Sequence, residues 1–261
     1  MTKQRQLIIF SDLDGCLLNK HDYEWRDAEA CLLRLVELQI PVVFASSKTV
    51  AEITAIAAEL PCIPAPFIAE NGGAISWGPL PKVTDQSIEC AGASRTDILH
   101  VLDGLKPRFR FRSFRDLGLK GVMESTDLDE SKAVKAIDRH CTEPLLWDDS
   151  AERRAEFEEC LRQQDLSLTK GGRFWHVAGQ TSKGQALQRV RQVYNRDDAV
   201  VAAIGDSQID QSMLDNADIP VGIKVSGVLG VQLACPPGIV PRNEGAAGWA
   251  EAVTEILALF D

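Results

Sequence analysis

A chain of 261 residues, 45% hydrophobic and 25% charged, is long enough for one sizeable core or a core carrying a smaller inserted domain, and too apolar to stay disordered. A formal net charge of -10 excludes non-specific nucleic-acid binding, because no run of cations is present to neutralise a row of phosphates. Residues 1–6 are polar and the apolar run at 7–10 is too short for a signal peptide or a membrane span, so a cytoplasmic protein with no membrane partner is expected.

The run Leu7-Ile8-Ile9-Phe10 ends at Ser11-Asp12-Leu13-Asp14-Gly15, the pattern of a buried parallel strand delivering a loop. Ala28, Leu32, Leu35, Val36 and Leu38 recur near helical spacing over 26–39, and Pro41 stops that pattern before a second strand, Val42-Val43-Phe44, which ends at Ala45-Ser46. A helix on Val50, Ile53, Ile56, Ala57 and Leu60 precedes a third apolar run, Phe67-Ile68-Ala69. Strand and helix have by then alternated through three strands, which predicts a parallel sheet wrapped by helices.

The grammar changes over 82–178. An alternating stretch at 108–112, helical patterns near 128–140 and 151–161, and a strand-like 143–147 predict an α+β insertion. The alternation resumes with a helix through Leu187, Val190 and Tyr194, a strand at 200–204, the loop Gly205-Asp206-Ser207 and a fifth strand at 219–223. A closing helix at 246–260 places Trp249, Val253, Ile256 and Leu257 on one face. The fold class is therefore α/β: a Rossmann-like parallel-sheet core over 1–81 and 180–261, with an α+β cap over 82–179. Seven cysteines, Cys16, Cys31, Cys62, Cys90, Cys141, Cys160 and Cys235, form no C-x-x-C pair, which predicts neither a zinc site nor a disulfide framework but mostly small buried side chains.

In an open parallel sheet, ligands sit at the carboxyl ends of the strands. Four such ends carry polar residues: Asp12 with Asp14, Ser46, Asn71, and Asp206 with Asp210. Carboxylates gathered this way repel one another, and a hard divalent cation held by oxygen ligands relieves the repulsion, magnesium being the first choice. Lys183, opening a helix, brings a positive charge and a helix amino terminus to the same place, an arrangement that favours a phosphoryl group.

Asp12-Leu13-Asp14-Gly15-Cys16-Leu17-Leu18 resembles the D-x-D-G-T-L-L signature of the haloacid dehalogenase-like phosphatases. Ser46, Lys183 and Gly205-Asp206-Ser207 with Asp210 stand where that family carries its Ser or Thr, its Lys and its acidic metal motif. Glu70-Asn71-Gly72-Gly73-Ala74 resembles the E-N-G-G/A segment of the branch whose cap is inserted after the third strand. The resemblance implies a magnesium-dependent phosphatase. In it Asp12 is the nucleophile that forms an aspartyl-phosphate, and Asp14 protonates the leaving oxygen and later activates water. Ser46 and Lys183 hold the phosphoryl oxygens; Asp12, Asp14 through its backbone carbonyl, Asp206 and Asp210, directly or through water, make the metal site.

Two departures stand out: Cys16 replaces the usual threonine, and Ile209 the usual asparagine before Asp210. Neither removes a residue with a chemical role.

In the cap, Gly171-Gly172-Arg173-Phe174-Trp175-His176, together with Ser46-Ser47-Lys48-Thr49, is similar to the mannosyl-3-phosphoglycerate phosphatase family. That likeness implies a glycosyl-phosphoglycerate substrate, most readily the mannosyl form, contacted by Arg173, His176 and Lys48, with Arg110 or Arg112 as lesser members of the same anion pocket. Three alternatives stay open: a phosphatase of another small sugar phosphate, a sugar phosphomutase, and a sugar-phosphate-binding module without catalysis.

Overall fold

The computed structural model describes residues 6–78, 87–193, 199–234 and 238–260. Most of the polar start, the expected boundary at Lys82, Tyr194 and Cys235 lie outside them.

Strand β1 (Leu7–Ser11) is buried along its whole length. Its alternating side chains serve two cores: Leu7 and Ile9 join one cluster, Ile8 and Phe10 the other. This is why the run is continuously apolar, since helices cover both faces of the sheet. Helix α1 (Glu29–Glu37) supplies Leu32 and Leu35 to the first face, and β2 (Val42–Phe44) pairs with β1 in parallel. Helix α2 (Val50–Ala57) starts at a capping box in which Thr49 accepts from the Glu52 N–H and Glu52 from the Thr49 N–H. A parallel bridge between Ala45 and Ile68 sets β3 (Phe67–Ala69) beside β2. The antiparallel strands β4 (Ala74–Ser76) and β5 (Ile88–Cys90) extend that edge, so the chain is still paired with the core hairpin at Cys90.

The insertion follows as α3 (Arg95–Leu105), β6 (Phe111–Ser113), α4 (Phe114–Thr126), α5 (Glu130–Ile137), β7 (Thr142–Trp147), α6 (Ala151–Arg162), β8 (Leu166–Gly171) and β9 (Phe174–Gly179). Its four strands form an antiparallel sheet in the order β6-β7-β9-β8. Phe157 of α6 packs on that sheet against Phe109 and Trp147, with ring centroids 5.3 and 5.1 Å away. The strand expected over 108–112 is shorter and later, and α3 and α4 were not expected. Gly118 interrupts α4 with φ +60, and α3 buries only Ile98 and Leu102, so neither presents a long helical stripe.

The core resumes with α7 (Lys183–Val193), β10 (Val200–Gly205), the short α8 (Gln211–Leu214), β11 (Ile219–Gly222) and α9 (Gly245–Ala258). The parallel order β11-β10-β1-β2 is the expected Rossmann-like core. Helix α7 covers one face through Ala186, Leu187 and Val190; α9 covers the other through the fully buried Trp249. Among the described residues no helix is long and apolar enough to cross a membrane.

The cysteine expectation needs correcting. Cys90 and Cys141 form a disulfide across 51 residues, with Cα atoms 6.1 Å apart, joining the core hairpin to the start of β7; Cys31, Cys62 and Cys160 are only partly buried. The bridge arises from strand placement, which spacing along the chain does not encode. Peptide mapping without reductant should recover this pair linked, and Cys90→Ser should lower unfolding free energy in urea by about 2–4 kcal/mol.

Candidate active site

Asp12 leaves the end of β1 with its N–H donating to Ile204 O at 2.9 Å, which ties the loop to β10. One residue earlier, the Ser11 hydroxyl donates to Asp12 O (2.7 Å) and accepts from Trp249 Nε1 (2.9 Å), anchoring the loop to α9. The turn then demands glycine. Gly15 has φ +92, and a Cβ there would lie 2.6 Å from Asp206 Oδ2.

The centre of the site is a buried ammonium. Lys183 Nζ, at the first residue of α7, donates to Asp12 Oδ1 at 2.9 Å and to Asp210 Oδ1 at 2.6 Å, and is 2% exposed. Burial opposes its charge, but Asp12 and Asp210 outweigh burial and raise its pKa. For Asp210, burial is overcome by Lys183 and by hydrogen bonds, and its pKa falls. Its other oxygen accepts from Asp206 N, Ser207 N and Ser207 Oγ at 3.0–3.1 Å, so both oxygens of Asp210 are engaged. Asp12 behaves differently. Burial dominates, with Asp210 and Asp206 adding repulsion against the pull of Lys183, and its pKa rises to about 7.

Asp206, only 6% exposed, has its pKa raised, chiefly by burial. Its Oδ1 is buried without a hydrogen-bond partner, and a ligand atom of Asp12, Asp206 and Cys16 all lie within 4.8 Å of one another. An orphaned carboxylate oxygen facing a second carboxylate at that separation suits a divalent cation. The donor set narrows further, because burial, and then Asp12, pushes the Cys16 thiol well up and keeps it protonated. The residues present therefore fit a hard metal held by the oxygens of Asp12 and Asp206, with Cys16 filling space behind them.

Asp14 sits beside them. Its Oδ2 pairs with Lys48 Nζ at 3.0 Å, and its Oδ1 is buried without a partner. Lys20, which the sequence reading missed, places Nζ 3.4 Å from Asp206 Oδ2 and 3.5 Å from the Asp14 carbonyl. No periodicity marks Lys20; only the fold of the loop after Gly15 brings it there. Ser46, 1% exposed, lies two residues past the end of β2, its hydroxyl accepting from Lys48 N at 3.3 Å and its carbonyl accepting from Asn71 N at 2.9 Å.

A cleft of about 570 Å³ opens between core and cap. Lys183, Asn71 and Gln208 line it from the core, and Thr142, Lys170 and His176 from the cap. His176 is neutral: burial, then the charge of Arg139, drives its pKa down to about 3, and its Nδ1 is buried without a partner. Arg173 does not reach this cleft. It follows Gly172 in the β8–β9 turn, is exposed, and pairs with Asp127 at 3.1 Å. Its place in the hairpin turn is the reason, since it precedes the first residue of β9 and does not share a strand face with His176. Arg110 and Arg112 are likewise turned to Asp149 and Asp148.

Replacing Lys183 with Met would leave two buried carboxylates without their cation and should destabilise the protein by about 3–5 kcal/mol. The sign with pH follows. Without Lys183 the folded pKa values of Asp12 and Asp210 rise, so K183M should lose more stability, relative to wild type, at pH 8 than at pH 5, as read from urea unfolding.

Residues 9–226 match the family model described as haloacid dehalogenase-like hydrolase. Two curated relatives carry the name glucosyl-3-phosphoglycerate/mannosyl-3-phosphoglycerate phosphatase. One, from Persephonella marina, is 33% identical, and one, from Methanococcoides burtonii, is 32% identical; each alignment covers 96% of this chain and 97% of the relative. Among solved structures, a protein described as Thermoplasma acidophilum 0175 superposes with a TM-score of 0.67 at 16% identity, over 99% of both chains. With Asp12, Asp14, Lys183 and Asp206 gathered at the carboxyl ends of a parallel sheet, the chain belongs to the haloacid dehalogenase-like hydrolases.

Proposed function

We propose that the protein is a magnesium-dependent phosphatase that hydrolyses a glycosyl-3-phosphoglycerate to glycosylglycerate and phosphate through an aspartyl-phosphate on Asp12. The observation that carries the phosphatase reading is the geometry around Asp12: a carboxylate set between a buried ammonium and a second carboxylate with an unpartnered oxygen. A bound divalent cation would lie at Asp12 and Asp206 and would neutralise charge on the phosphoryl group and on the attacking carboxylate.

The remaining steps belong to the chain's own residues. Asp12 forms a bond to phosphorus as the ester P–O bond breaks, and Asp14 gives its proton to the departing oxygen. Water then attacks the aspartyl-phosphate, Asp14 takes the water's proton, and phosphate leaves with Asp12 restored. Lys183 and Ser46 hold phosphoryl oxygens, and Asp210 orients Lys183 rather than ligating directly. Lys48 is an available cation for the substrate. Drawn to an incoming anion, it would let go of the Asp14 carboxyl it now pairs with.

The glycosyl-phosphoglycerate reading is supported by the names of the two relatives and by the chemistry of the cleft. Neutral His176 and Thr142 offer hydrogen bonds to sugar or glycerate hydroxyls, and Lys170 offers a charge for a carboxylate. Because both relatives' names carry glucosyl as well as mannosyl, both sugars are candidate substrates. With magnesium, phosphate release from mannosyl- and glucosyl-3-phosphoglycerate should exceed that from hexose phosphates, and Asp12→Asn should abolish it. Asp14→Asn should cost about a hundred- to ten-thousandfold in kcat on these esters; with p-nitrophenyl phosphate, whose leaving group needs no proton, it should keep a burst of p-nitrophenol while turnover slows at the water-attack step. Transfer of the phosphoryl group to a sugar hydroxyl in place of water would establish the mutase alternative.

Since Asp12, with a pKa near 7, must ionise to bind a cation, magnesium affinity should weaken by about tenfold from pH 8 to pH 6, with proton uptake into buffer measurable by titration calorimetry.

A further inference from the structure

Glu70 is a fully buried carboxylate beside the site that the mechanism does not use. Its side chain has no exposed surface. Oε1 accepts from the His140 N–H at 2.8 Å; Oε2 accepts from the Cys141 N–H at 3.1 Å and from the Thr142 hydroxyl at 2.5 Å. Arg139 donates to the same Thr142 oxygen at 2.7 Å and lies 4.0 Å from Oε2. All of these donors belong to the cap, at the entry to β7, whereas Glu70 itself belongs to the core.

The backbone of the same loop grips the phosphoryl-binding elements. Glu70 N donates to Lys48 O and Asn71 N to Ser46 O, both at 2.9 Å. Gly72, at φ +98, packs so closely on the start of α7 that a Cβ would lie 2.3 Å from Ser182 O and 2.8 Å from Lys183 N. Glu70 and Asn71 are themselves left-handed, at φ +53 and +59, a conformation that non-glycine residues hold only when their surroundings over-determine it. Three consecutive residues, Glu70, Asn71 and Gly72, thus touch the Ser46–Lys48 segment, the Lys183 helix and the first residue of β7.

From that first residue the connection continues into the cleft. Thr142 lines it, and β7 carries β9 by antiparallel pairing, Thr142 opposite Ala178 and Pro144 opposite His176. We propose that Glu70 is a positioning residue that sets the cap strands β7 and β9, and hence Thr142 and His176, at a fixed distance from the phosphoryl-binding residues. It couples recognition of the non-phosphate part of the substrate to the chemistry, a role that rests on the phosphatase reading above. Neither Glu70 Oε1 nor Oε2 needs to touch substrate for this.

The test compares Glu70→Gln and Glu70→Ala with wild type on two substrates, glucosyl-3-phosphoglycerate and p-nitrophenyl phosphate, the second having no sugar or glycerate for the cap to hold. Assays include a dithiol reductant, because the Cys90–Cys141 bridge ties the same point of the cap and would mask the loss. The expected result is a rise of about tenfold or more in KM for the glycosyl substrate, with kcat/KM on p-nitrophenyl phosphate within about threefold of wild type. Thr142→Val should reproduce part of the effect and be non-additive with Glu70→Gln. Equal losses on both substrates would mean a purely structural role and would overturn the proposal, as would no loss on either.

A second readout is independent of substrate: amide exchange over 140–147 and 174–179 should accelerate in Glu70→Ala, and unchanged exchange would also overturn it. If wild type fails to cleave the glycosyl ester, the substrate reading falls while the exchange result still decides the role of Glu70.

Discussion

The buried ion triad of Asp12, Lys183 and Asp210 is the constraint on which the rest of the structure depends. An ammonium with 2% exposure survives only where carboxylates and hydrogen bonds replace its water, so three chain segments must meet within 3 Å of one atom. This fixes the mutual placement of β1, α7 and the loop after β10. It also sets the charge balance. Asp12, Asp14, Asp206 and Asp210 face Lys20, Lys48 and Lys183, leaving an acidic excess to which an incoming phosphoester would add. A divalent cation at the orphaned Asp206 oxygen is the natural remedy in a chain whose overall charge is already -10.

The second organising feature is the separation of chemistry from recognition. The reactive carboxylates stand on loops whose conformation is set by a doubly covered sheet, a rigid mount buried on both faces. The cap contributes His176, Thr142 and Lys170 from an antiparallel sheet with its own aromatic core. Two ties hold these bodies in register near the same residue: the Glu70 carboxylate at His140, Cys141 and Thr142, and the disulfide at Cys141. Neither tie lies in the reacting centre, so cap geometry can change while the phosphoryl-binding residues stay in place.

Much of this was legible beforehand where a local pattern corresponds to a physical necessity. Strands β1, β2, β3, β10 and β11 read as continuous apolar runs because both of their faces are covered. Asp12, Asp14, Lys183 and Asp206 were marked by their position at strand ends and a helix start, and the fold brings them together. Helices α3 and α4 were not legible, since a glycine break and a narrow buried stripe erase the periodicity. Arg173 stands apart from His176 for another reason: three positions away it looks like a partner in one dimension, but in three it sits exposed in the β8–β9 turn, paired with Asp127.

What the sequence by itself determined was the alternation of strand and helix, the inserted cap, and which strand ends carry the carboxylates, because each depends on neighbours within a few residues. Tertiary structure decided the partners. Lys183 meets Asp12 across 171 positions, Lys20 meets Asp206 across 186, and Glu70 meets Thr142 across 72. It also decided that Asp210 serves the lysine, that Cys16 stays protonated, and that Cys90 finds Cys141. The reason is physical. Burial and Coulomb forces act over ångströms in the folded chain, and the distance between two residues along the sequence does not contain them.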